Sequence, residues 1–227
     1  MFKGWNTFEK VFSIIGTIIA IAFTFIFKGT WVDLLYTLLY FWTAILLAKG
    51  KYSCYILGIV STFFYAFVSY CNSYYGEVIS DLCCTFPLMV VGLVNWLKNQ
   101  DETNTVIIKE ITKKELLLVL LSQIIMFAGY YYLLKLFNTS NLLISTISLV
   151  TSIIATYLTA RRSEKGFIGF IMNDIVLIIL WSIPIIKGNL SIVPIVLCPI
   201  LLLINDIYGM YNWKTIKNKQ QGDTYEK

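Results

Sequence analysis

Gly92-Leu93-Val94-Asn95-Trp96 and Gly209-Met210-Tyr211-Asn212-Trp213 carry one pattern, G-x-x-N-W, 117 residues apart, and each closes a long apolar run. The runs are of bilayer length, since a spanning helix needs about 20 mostly apolar residues. A membrane chain that repeats itself over such a distance reads as two halves built around a path between them.

Working outward from the two motifs, the apolar runs predict spans at 11–27, 31–48, 52–72, 77–97, 116–137, 141–160, 167–186 and 190–212. The composition agrees. A chain of 227 residues that is 58% hydrophobic and 14% charged has too much apolar surface for a soluble domain. That excludes a soluble catalytic or nucleic-acid-binding domain. The run after Lys3 and Lys10 lacks a small-residue cleavage site and is read as a helix, with 6–10 as an interfacial lead-in.

Charge fixes the expected orientation. With eight spans, one side of the membrane receives 15 of the 18 Lys and Arg residues, leaving Lys28, Lys135 and Lys187 on the other. Cytoplasmic loops carry the excess of Lys and Arg, so both termini are expected in the cytoplasm. The spans group as one, three, one, three, with the polar stretch 98–115 before the second single helix. The expected divisions are an extra N-terminal helix at 1–30, a three-helix repeat at 31–97, a loop and linker helix at 98–140, a second repeat at 141–213 and a tail at 214–227. A single linker helix restores the chain direction, so the repeats run parallel, related by an axis along the membrane normal. The fold class is all-α, a polytopic membrane protein with a 3+1+3 repeat plus one N-terminal helix.

Residues able to do chemistry are few. Histidine is absent, which removes histidine triads and histidine metal ligands. No glycine-rich phosphate loop is present, and the five cysteines all lie in apolar runs without C-x-x-C spacing, as small core residues. No cofactor or metal is expected. Ionisable groups deep in a bilayer are costly and mark pathways, which singles out Asp81, Asp174 and Asp206, the last of them nearest the cytoplasmic interface. Glu77 and Asp33 are discounted as lying near span ends, where solvation is cheap. Helical spacing puts Glu77, Asp81, Cys84, Leu88, Gly92 and Asn95 on one stripe, Asn173, Leu177 and Trp181 with Asp174 on another, and Cys198, Asn205, Tyr208, Gly209 and Asn212 on a third. Gln123 is the strongly polar residue inside the linker helix. Interhelical hydrogen bonding accounts for any one of these polar residues; their convergence suits a substrate site. Trp5, Trp31, Trp96 and Trp213 fall where an interfacial aromatic belt is expected. Trp42, Tyr65 and Trp181 lie deeper, placed to stack on a flat ring. Pro87, Pro184, Pro194 and Pro199 permit kinks.

Tyr74-Tyr75-Gly76-Glu77 followed by Gly92-x-x-Asn95-Trp96, Thr159-Ala160-Arg161-Arg162-Ser163-Glu164, and Tyr208-Gly209-Met210-Tyr211-Asn212-Trp213 together resemble the PnuC-type family of bacterial vitamin transporters, over about 31–216. The family carries nicotinamide riboside, with relatives for thiamine, riboflavin or deoxynucleosides. The resemblance implies a fold like that of the sugar-carrying SWEET proteins, placement in the bacterial cytoplasmic membrane, and facilitated diffusion. It also implies trapping by phosphorylation, so that a cytoplasmic kinase is a partner only indirectly. One stretch departs. Nicotinamide riboside carriers have E-x-W-x-x-W after the arginine pair, with tryptophans that contact the substrate ring; here Gly166 and Gly169 stand at both tryptophan positions, with Phe167 and Phe170 beside them.

The reading is a membrane transporter for a vitamin-like or nucleoside-like solute, not an enzyme. Its partners are that small molecule and the lipid bilayer, with no nucleic acid and with a homo-oligomer left open. Asn173, Asp174, Asn205, Tyr208, Gln123 and Asp81 are the expected polar contacts, and Trp181, Tyr65 and Trp42 the stacking ones. Two other readings stay open. One is proton coupling through Asp81 or Asp174, and the other is a vitamin-binding membrane subunit of an ATP-driven transporter.

Overall fold

The computed structural model describes residues 4–225, so Lys3 and Lys227 of the charge count lie outside the described residues. Eight helices among the described residues are long and apolar enough to cross a membrane. They are α1 (Thr7–Ile26), α2 (Trp31–Ala48), α3 (Ser53–Cys71), α4 (Tyr75–Leu97), α5 (Lys113–Leu136), α6 (Leu142–Ala160), α7 (Gly166–Ile186) and α8 (Val193–Tyr225).

Local chemistry sets the starts. Asn6 caps α1 and Thr30 caps α2, each in a reciprocal capping box with an acid three residues on, Glu9 and Asp33. Asp33 is thereby explained as a cap. Asn6 moves the start of α1 to Thr7, ahead of the expected span. At the other end α8 continues past the boundary expected at 212. Its extension is held by Lys217, which pairs with Glu110 and Glu164, and by Gln220, whose amide bonds Asp101 Oδ2, the Val106 carbonyl and the Ile108 N–H.

Helix α4 is not uniform. Ser80–Thr85 form a π-helical turn just before Pro87, which has no N–H for the preceding backbone. The wider turn rotates the helix. The inward stripe therefore runs Glu77, Asp81, Thr85 and Met89, in place of the Cys84 and Leu88 expected from a regular helix.

The two G-x-x-N-W motifs meet at one end of the bundle, and each clasps a helix distant in sequence. Asn95 and Trp96 donate to the Ala160 and Thr159 carbonyls at the end of α6, at 2.7 and 2.9 Å. Asn212 and Trp213 donate to the Ala48 and Leu47 carbonyls at the end of α2, both at 2.9 Å. The acceptors correspond: Leu47 and Ala48 stand 112 residues before Thr159 and Ala160. So do the turns that follow, where Gly50 and Arg162 take positive φ (66° and 64°), and the Lys51 and Ser163 N–H groups close onto the Leu46 and Leu158 carbonyls. Gly92 has no room for a Cβ against the Tyr55 ring, nor Gly209 against Phe167. Trp96 and Trp213 touch each other (centroids 5.5 Å apart), and both are fully buried. They are therefore interior residues, not the interfacial belt expected from sequence, whereas Trp31 at the start of α2 is 69% exposed.

The 98–112 loop ties this end together. Its Val106 N–H bonds the Gly50 carbonyl and its Lys109 N–H the Arg162 carbonyl, so one strap holds both turns. At the same end Lys49 pairs with Glu9 at 2.6 Å and Arg161 with Glu115 at 2.8 Å. Helix α1 packs on α2 and α8, whereas α5 packs on α6 and buries little of itself.

Candidate functional site

Six helices close around a central cavity holding about 80 Å³ of water-accessible space. Lining side chains come from α2, α3, α4, α6, α7 and α8, and none from α1 or α5. The space suits several ordered waters, since one needs roughly 10–15 Å³.

One wall is aromatic. Tyr36 and Tyr65 stack at 5.0 Å between centroids, with Tyr40 edge-on to Tyr65 at 5.9 Å. Trp181 is fully buried beside the cavity and does not line it. Its indole N–H donates to the Tyr65 hydroxyl at 3.2 Å, and its ring meets Tyr74 edge-on at 4.8 Å. Trp181 thus positions Tyr65.

The polar lining is carboxyl-rich. Glu77, Asp81, Asp174 and Asp206 all line the cavity, each 4% exposed or less. Glu77 Oε2 accepts from Tyr65 at 3.2 Å and from Ser148 at 3.1 Å. Asp174 on α7 and Asp206 on α8 are neighbours in this lining. Asn205 donates to Asp206 at 3.3 Å. The Asn173 carboxamide oxygen accepts from Thr151 at 2.8 Å and Ser148 at 3.4 Å, which fixes its amide plane at the cavity wall.

Of the residues expected from sequence, Tyr65, Asp81, Asn173 and Asp174 come together at the cavity, and Trp181 and Asn205 stand behind it. Tyr208 lies elsewhere, donating to Glu9 at 2.9 Å and accepting from Asn6 at 2.8 Å beside α1. Trp42 packs toward α1 against Trp5, centroids 6.1 Å apart. Gln123 is buried on α5, which contributes nothing to the lining. Glu77, discounted in the sequence, is in the site. The end of α4 is covered by α3, α5 and α6, as the close approach of Leu134 and Ser145 to Gly76 and the bonds to Tyr65 and Ser148 record. The i, i+4 spacing of Glu77, Asp81 and Thr85 was its available signal, as was the spacing of Tyr36 and Tyr40.

At Gly166 and Gly169 the two helices meet backbone to backbone. A Cβ on Gly169 would stand 2.9 Å from Ala155 Cα, and one on Gly166 would stand 2.9 Å from the Thr159 nitrogen. The positions that hold tryptophan in the resembled pattern are here filled by α6 itself. Phe170 lines the cavity, and Phe167 packs instead on Trp213.

Fold and site define a polytopic helical membrane protein with a central cavity lined by apolar, aromatic and carboxyl groups, the plan of a solute transporter. Over residues 30–215 the chain matches the nicotinamide mononucleotide transporter family, and it belongs to that family. It is 28% identical to the nicotinamide riboside transporter PnuC of Neisseria mucosa, covering 98% of this chain and 86% of that one. It is 23% identical to the protein of the same name from Haemophilus influenzae, covering 93% and 91%. A crystal structure of the vitamin B3 transporter PnuC superimposes with a TM-score of 0.85 at 26% identity, covering 95% of this chain and 94% of that one.

Proposed function

We propose that this chain takes up nicotinamide riboside or a closely related vitamin nucleoside by facilitated diffusion, the product being held in the cell by phosphorylation. The observation that carries the reading is the central cavity shared by six helices, with an aromatic wall of Tyr36, Tyr40 and Tyr65 for a flat ring and polar groups for a sugar. The names of the two bacterial relatives and of the superimposing structure point the same way. The proposed halves are 31–97 and 141–213, with 1–30 and 98–140 outside the path and 214–227 following it. The matched clasps and the absence of α1 and α5 from the lining support that division. The end carrying Lys49, Arg161, Arg162 and Lys217 is assigned to the cytoplasm on its basic excess.

Gly166 and Gly169 favour a second reading in which the same mechanism serves thiamine, riboflavin or a deoxynucleoside, because α6 fills the ground where tryptophans would meet a nicotinamide ring. Thermal stability of the purified protein with each compound separates the two, since a ligand that binds the folded state raises stability by mass action. The expected result is a rise with nicotinamide riboside that is lost in Asn173→Ala, and uptake into proteoliposomes that an imposed proton gradient leaves unchanged. A rise with one of the other solutes alone selects the second reading; dependence on the gradient removes facilitated diffusion.

A further inference from the structure

We propose that the central cavity selects its solute by positive charge, and that Glu77, Asp81, Asp174 and Asp206 make the selection; the inference rests on the transport reading above and narrows it. All four line one chamber, and no Lys or Arg does. Three of their buried oxygens, Glu77 Oε1, Asp81 Oδ2 and Asp174 Oδ2, have no hydrogen-bond donor among the described residues. A buried polar atom without a partner costs free energy, and an ionised carboxylate costs more. A neutral ring and sugar need only hydroxyl and amide partners, which Ser152, Thr156 and Asn173 already supply at the wall. The carboxyls are therefore surplus for a neutral solute and useful for a cation.

The chamber fits an organic cation and not a metal ion. Among the described residues no three Asp, Glu or Cys side chains are grouped so as to hold a metal. The acids are spread over α4, α7 and α8, as a broad heterocyclic cation with delocalised charge requires. Tyr36, Tyr40 and Tyr65 present ring faces and edges to the same space, and a cation over an aromatic face gains further.

The test compares solutes that differ in charge at nearly constant shape. Nicotinamide riboside has a pyridinium ring; its dihydro form is neutral. Binding to the purified protein is measured for both, and the cation is expected to bind at least about tenfold more tightly. Asp174→Asn and Asp81→Asn should each weaken the cation about tenfold or more, leaving the neutral form unchanged. Equal or tighter binding of the dihydro form overturns the inference and leaves the transport reading standing, as does equal weakening of both forms in the variants. If neither form binds, the nicotinamide riboside reading falls, and thiamine, a cation, is set against riboflavin and thymidine. Binding of thiamine alone then upholds charge selection; binding of a neutral vitamin, or of nothing, overturns it.

Discussion

At the scale of the residue, position within a span proved a poorer guide than what covers it. Asp81, Asp174 and Tyr65 were legible because a charge or an aromatic hydroxyl in mid-bilayer needs a reason to be there. Glu77 was misjudged because its distance from the span end says nothing about Tyr65 and Ser148, which reach it from other helices. Trp96 and Trp213 misled in the opposite sense. Tryptophan near a helix end reads as an interfacial anchor, yet both indoles turn inward and spend their single donor on a carbonyl. Trp213→Phe keeps the ring and removes the donor to Leu47. It should cost about 0.5–1.5 kcal/mol of stability, the net worth of one hydrogen bond, because the Leu47 carbonyl keeps the Gly50 N–H as a donor. Denaturant unfolding in detergent checks this, and an unchanged midpoint would show the bond to be incidental.

At the scale of the element, the existence of every helix was readable from apolar length, and their order from the turns between them. The rotation of α4 was not, because a π turn depends on how the backbone accommodates Pro87 against its neighbours. Nor was the continuation of α8, which is held by Lys217 and Gln220 through loop residues far away in sequence. The glycines at 166 and 169 were visible as a departure from a pattern, but their purpose appears only with α6 beside them. Gly169→Ala should force the α6–α7 contact apart and lower stability by about 1–3 kcal/mol, as overpacking does. Gly129→Ala is the control, since nothing lies within 4 Å of the position a Cβ would take. Thermal denaturation of the two variants side by side decides it, and equal melting would refute the backbone-contact account.

At the scale of the whole molecule, the G-x-x-N-W echo was visible in the chain but the crossing of its bonds was not. Each motif bonds the end of a helix distant in sequence, so the late motif answers for the early helix. Trp213 and the Leu47 carbonyl are 166 residues apart in the chain. Consequently, during synthesis the end of α2 lacks the Asn212 and Trp213 donors until the final span has emerged. The closing contact is the last to become available, and contacts of such long separation form slowly. A chain ending at Tyr211 should contain all the cavity-lining residues yet fail to bind or to survive extraction in detergent, whereas one ending at Lys214 should recover a folded, less stable protein. The clasp on the end of α2 is thus completed only after the last span has been made.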